Sequence, residues 1–227
     1  MSLELWQRRI RKAPPSRVTR EVVEKGVDID GDAAPVLCVT GDSRGAGAFE
    51  KHWLPHIVMR GRAAYAVSVR GQGNTPRGDS GMAGKVHDLV QTAVSLPRRA
   101  ILIGHGQGAL WLAHAATRYP VHAMVLLAPR GLRRPPAAPV GGAKVLVAGS
   151  SGDGKSPTKR LEQVAGEYQT APLLFSGIGH DFMTDPGWQA LWTRSWTGST
   201  KPTSDLCRRK CGLGSVDHHR RFSAVWR

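Results

Sequence analysis

Two periods of apolar spacing alternate along the middle of the chain. Pro35–Val39 is a short β-branched run closed by Thr40 and Gly41, and behind it Phe49, Trp53 and Ile57 recur at the spacing of one helix face. A second run, Ala63–Val69, completes a strand–helix–strand unit. Beyond a Gly/Pro-rich loop from Arg70 to Gly81, Val86, Leu89, Val90, Ala93 and Val94 mark another helix, and Ala100–Ile103 reads as a buried strand. A helix over Gln107–Arg118 and a strand over Ala123–Leu127 follow. The strand Lys144–Ala148, a helix over Thr158–Tyr168, a strand at Leu173–Phe175 and a last helix over Pro186–Trp196 finish the pattern. Val22–Ile29 reads as an added N-terminal antiparallel strand. Strands that are apolar throughout, alternating with amphipathic helices, predict an α/β fold with a mostly parallel sheet covered on both faces.

The periodicity covers 21–198. Residues 1–20 form a basic N-terminal extension with six basic residues against one acid, and 199–227 a basic tail with seven against two. These ends carry most of the net charge of +15, so they read as solvated, flexible segments rather than as a nucleic-acid surface. A chain of 227 residues supports one domain of this kind. No apolar run approaches the ~20 residues of a membrane span. The Arg-rich start is compatible with an organelle transit peptide, but the odd count of three cysteines with no secretory signal points to a reducing compartment. The expectation is an intracellular, cytoplasmic protein, with a plastid or other organelle as the alternative.

The most informative stretch is Ile101-Leu102-Ile103-Gly104-His105-Gly106-Gln107-Gly108-Ala109-Leu110, where a strand turns into a helix through glycines. A G-x-S-x-G turn of this kind holds a nucleophilic serine on a strained bend, flanked by glycines because no side chain fits there. Both outer glycines are present; at the nucleophile position stands Gly106.

Ordered blocks around this turn resemble the α/β-hydrolase superfamily, in particular the plant, algal and cyanobacterial branch of small serine-hydrolase-like proteins. Val36–Gly41 resembles the strand ending in His-Gly, here Thr40-Gly41, and Glu50–Pro55 the first-helix block. Ala66–Gly73 resembles the next strand with its R-G-Q/H-G loop, and Gly179–Trp188 the histidine block. The resemblance implies an α/β-hydrolase fold, a serine esterase or lipase lineage, and a triad running nucleophile, acid, histidine along the chain. It assigns the acid to Asp153 and the histidine to His180. It places the oxyanion hole at the N–H of Gln107 with a second N–H after the first strand, at Asp42 or a neighbour. The stretch Ala128–Gly142 is too short for the helical cap that such proteins often insert there.

Without a side-chain hydroxyl, Gly106 cannot form an acyl-enzyme, so the expectation is weak or absent acyl hydrolysis. Three readings stay open: a disabled hydrolase, an enzyme using the His180–Asp153 dyad as a general base, and a non-catalytic protein binding a small ester-like molecule or a partner. No cofactor is expected. Ser43, Ser150 and Ser151 lie in loops off the elbow, His105 reads as a packing residue of the turn, and Arg70–Gly73 as a structured loop. Cys207, Cys211, His218 and His219 are ligand types for zinc at a poor spacing, so no metal site is expected. Trp188, Trp192 and Trp196 read as a core-facing helix stripe. Nothing in the sequence sets an oligomeric state.

Overall fold

The computed structural model describes residues 15–26, 32–79, 81–189 and 192. Seven strands build one sheet: β1 Glu21–Lys25, β2 Val36–Thr40, β3 Ala64–Ser68, β4 Ile101–His105, β5 Ala123–Leu127, β6 Lys144–Ser150 and β7 Leu173–Phe175. Their order is β1-β3-β2-β4-β5-β6-β7, with β1 antiparallel to β3 and every other pair parallel. The helices are α1 Gly47–Glu50, α2 Trp53–Val58, α3 Met82–Ser95, α4 Gln107–Ala116 and α5 Thr158–Glu167. This is the mostly parallel α/β sheet that the alternation of periods predicts.

The central strands β2, β3, β4 and β5 are buried along their whole length, which is why each reads as an unbroken apolar run. Successive residues serve opposite faces. Val36, Cys38, Ile101, Ile103 and Val125 pack with Phe49, Trp53, Phe182, Trp188 and Trp192. Leu37, Val39, Leu102, Met124 and Leu126 pack with the helices α3, α4 and α5 on the other side. Small residues on α4 (Gly108, Ala109, Ala113, Ala116) let it lie close against the sheet.

Three expectations change. The helix anticipated through Phe49, Trp53 and Ile57 is two short ones, because Pro55 offers no N–H and its ring collides with the carbonyl four residues back, at Lys51. The break falls at Lys51–His52, and Phe49, Trp53, Leu54 and Ile57 are nonetheless all buried. Residues 186–188, expected to open the last helix, form turns, and Trp196 lies outside the described residues. The basic N-terminal extension is tied down at its end: Ser16 N–H and Oγ both donate to Asp79, and Arg20 Nε donates to Thr92 Oγ1. Residues 1–14, the tail 199–227 with Cys207, Cys211, His218 and His219, and residues 27–31 lie outside the described residues.

Candidate active site

The parallel strands end at one edge of the sheet, and the loops that follow them bring the site residues together there. Between β4 and α4, Gly106 adopts φ 59° and ψ −122°, a conformation in which an L side chain is strained. Its N–H donates to Leu127 O at 3.0 Å, and Arg130 N–H donates to Gly106 O at 2.9 Å. The turn is therefore held from both sides by the strand and loop next to it.

Neighbouring glycines are required by close approach. A Cβ on Gly104 would stand 2.7 Å from Ala109 Cα, one on Gly108 2.7 Å from Val39 O, and one on Gly41 2.5 Å from Gln107 Cβ. Gly106 differs from all three. A Cβ there meets a single heavy atom within 4 Å, His180 Nε2 at 3.8 Å.

His180 follows β7 and Asp153 follows β6, and the two meet: His180 Nδ1 donates to Asp153 Oδ2 at 2.6 Å. Asp153 Oδ1 accepts from the N–H groups of Lys155 (2.8 Å) and Ser156 (3.2 Å). Burial works against the charged carboxylate, but the hydrogen bonds from His180 and from these two amides outweigh it and hold Asp153 below the usual carboxylate range. With Nδ1–H committed to Asp153, Nε2 of the neutral ring is left as an acceptor on the side of Gly106.

His105 is buried between two fixed partners. Its Nε2 lies 2.8 Å from His180 O and its Nδ1 3.2 Å from Thr40 Oγ1. A carbonyl can only accept, so Nε2 carries the proton and Nδ1 accepts from the Thr40 hydroxyl. Burial pushes the His105 pKa down to about 4, which keeps the ring neutral and this chain of bonds intact. Thr40 Oγ1 in turn accepts the Asp42 N–H at 3.1 Å. The assignment of Asp42 to an oxyanion hole meets this bond: its N–H is directed at Thr40. Gln107 opens α4, and its N–H has no acceptor within its own helix.

The Asp42 carboxylate is gathered by Arg44, whose Nε and Nη2 lie 3.1 and 2.9 Å from Oδ2. The same Nη2 reaches Asp181 Oδ2 at 2.6 Å, joining the loop after β2 to the loop that carries His180. Gln72 donates to the carbonyls of Thr40 (3.0 Å) and Asp42 (2.7 Å). Thr40, Arg44 and Gln72 were not singled out as site residues by the sequence; for Gln72, its place in the R-G-Q/H-G block was the available signal.

Arg70, in the same block, faces away from this chemistry. It pairs with Asp88 through Nε (2.9 Å) and Nη2 (2.7 Å), with both side chains fully buried, and Nη2 also donates to Ser16 O at 3.0 Å. Ser151 Oγ donates to Phe175 O at 3.3 Å, Ser150 Oγ accepts from Gly152 N–H, and Ser43 O accepts from Gly73 N–H. Residues 128–143, between β5 and β6, contain no helix, so no cap covers the edge there. Among the described residues no three His, Cys, Asp or Glu side chains are placed to hold a metal, and no helix is long and apolar enough to cross a membrane.

Residues 36–220 match the alpha/beta hydrolase family. The chain belongs to that family. Solved structures similar to this α/β-hydrolase include a thermophilic esterase from Thermogutta terrifontis, at 16% identity over 82% of this chain and 95% of that one, with a TM-score of 0.64. A monoacylglycerol lipase from Paleococcus ferrophilus matches at 17% identity over 79% and 96%, TM-score 0.59. Est1E from Butyrivibrio proteoclasticus, bound to ferulic acid, matches at 15% over 72% and 88%, TM-score 0.57. At these identities the likeness is one of fold. No curated protein matches the sequence of this α/β-hydrolase.

Proposed function

We propose that this α/β-hydrolase descends from serine esterases or lipases and is weak or inactive in acyl hydrolysis, with Gly106 standing where the nucleophile would be. The observation that carries the reading is the geometry at Gly106. Its φ of 59° and ψ of −122° make a strained bend of the kind a nucleophile elbow requires, and a Cβ added there would lie 3.8 Å from His180 Nε2. One further bond, to an oxygen, brings a serine hydroxyl within hydrogen-bonding range of His180 Nε2. Similar folds described as an esterase and a monoacylglycerol lipase support the lineage. Without the hydroxyl, the route through a covalent acyl intermediate is closed. What such sites retain after loss of the serine is about 10³- to 10⁴-fold over water. The absence of a cap leaves the edge open to water, which weakens each electrostatic contribution further.

A second reading has one observation in its favour: the 2.6 Å His180–Asp153 pair is complete and could act as a general base on water or on an acidic proton of a ligand. One experiment separates the two. Native protein, His180→Ala, Gly106→Ser and Gly106→Ser/His180→Ala are assayed on p-nitrophenyl acetate and butyrate and treated with a fluorophosphonate. A silent native protein, with a Gly106→Ser variant that is labelled and hydrolyses the esters in a His180-dependent way, supports the disabled hydrolase. Native hydrolysis abolished by His180→Ala overturns it in favour of the dyad.

A further inference from the structure

We infer that the space at Gly106 is a binding site for a neutral hydroxyl-bearing ligand, an alcohol or a phenol, whose O–H donates to His180 Nε2 in the place of a serine hydroxyl. This inference rests on the reading of Gly106 as the nucleophile position. Space is the first ground: at Gly106 an added carbon meets nothing within 4 Å except that nitrogen, whereas at Gly41, Gly104 and Gly108 it meets backbone or Cβ atoms at 2.5–2.7 Å. A ligand group the size of a hydroxymethyl is accommodated at this one position of the cradle.

Chemistry is the second ground. The bond from Nδ1 to Asp153 selects the tautomer of the neutral His180 ring in which Nε2 is the acceptor. A carbonyl or ether offers it nothing, and a hydroxyl offers a proton. The opposite pole of an esterase site, which would receive a carbonyl oxygen, is weakened here because the Asp42 N–H is committed to Thr40 Oγ1. The site therefore favours ligands that give a hydrogen bond over ligands that only accept one.

Charge and access complete the selection. The Asp42 and Asp181 carboxylates share Arg44, each within 3 Å of its Nη2, leaving two negative groups on one positive group beside His180. An anionic ligand is disfavoured there, so a phenol is preferred to a carboxylate. The His180 side chain is 17% exposed, so its ring is within reach from solvent.

The test uses phenol and anisole, which share ring and shape and differ in the O–H. With the native full-length chain, the ¹⁵N signal of His180 Nε2 is followed as each is added. Phenol is expected to shift it saturably, with anisole binding about tenfold more weakly, the loss of roughly one hydrogen bond. Gly106→Ser is expected to abolish the phenol response, since its own hydroxyl takes the nitrogen. Equal binding of phenol and anisole by the native chain, or an undiminished phenol response in Gly106→Ser, overturns the inference. Fluorophosphonate labelling reports separately on the elbow. A labelled Gly106→Ser variant, together with native protein that does not distinguish phenol from anisole, overturns the hydroxyl site and leaves the lineage reading standing.

Discussion

His105 makes the stability of this protein depend on pH in a way that can be worked out in advance. The ring is 4% exposed, and burial lowers its pKa from the ordinary 6.5 to about 4. Above pH 6.5 the ring is neutral in both folded and unfolded chains and contributes no pH dependence. As pH falls below 6.5 the unfolded chain takes up a proton that the folded chain refuses until about pH 4, so stability drops across this window and levels off beneath it. Linkage between the two pKa values gives a loss of about 2 kcal/mol on going from pH 8 to pH 5. The perturbation that isolates it is His105→Gln, which keeps an amide able to face Thr40 and the His180 carbonyl but does not titrate. Histidines remote from His105 contribute equally to both proteins and cancel in the difference. Urea unfolding of native protein and variant at pH 8 and pH 5 measures the result. The variant is expected to lose about 2 kcal/mol less than the native protein over that interval. Equal losses would show that His105 is not held neutral by burial, and the assigned bonds from Asp42 N–H through Thr40 to His105 would fall with it.

Other outcomes follow from the same geometry. In the Gly106→Ser background, Thr40→Val removes the acceptor that holds the Asp42 N–H and is expected to raise kcat on p-nitrophenyl esters by about 10²-fold, the effect of one oxyanion donor; an unchanged kcat refutes the role given to Thr40. Asp88→Ala strands the fully buried Arg70 guanidinium and is expected to cost about 3–5 kcal/mol in chemical denaturation. Gly108→Ala drives a methyl against Val39 O and the Thr40 backbone and is expected to cost about 1–3 kcal/mol, whereas Gly152→Ala, which meets nothing within 4 Å, stays within about 0.5 kcal/mol.

Where a residue's fate depends on its neighbours in sequence, the chain was readable. Unbroken apolar runs located β2 to β6 because both faces of a parallel sheet are buried, and the glycines around position 106 marked a turn because close backbone contact excludes side chains. Asp153 and His180, which lie 27 residues apart, were found through the order of blocks and not through any local pattern, and the structure puts them 2.6 Å apart. What depended on a tertiary partner was not readable. Thr40 looked like a departure from a His-Gly motif, yet its hydroxyl joins Asp42 to His105. Arg70 reads as part of a structured motif loop, and only the arrival of Asp88 from α3 makes it a buried structural cation. The break at Lys51–His52 was legible in Pro55, but the helical spacing of Phe49, Trp53 and Ile57 masks it because both short helices bury the same face.

The pairing of β1 with β3 also bears on how the chain is made. Glu21 lies opposite Ser68 and Lys25 opposite Ala64, while β2, which emerges between them, docks on the other side of β3. During synthesis β1 leaves the ribosome with no partner and stays a bare edge until β3 follows it. Its anchors come later still, with Asp79 for Ser16 and Thr92 for Arg20. The first described segment to be translated is thus sealed in place only after synthesis has passed Thr92, at an elongation rate of about 5–20 residues per second. For seconds, an order of magnitude set by that rate, the nascent chain exposes a strand edge, and the charged Glu21, Glu24 and Lys25 along it disfavour pairing with another chain.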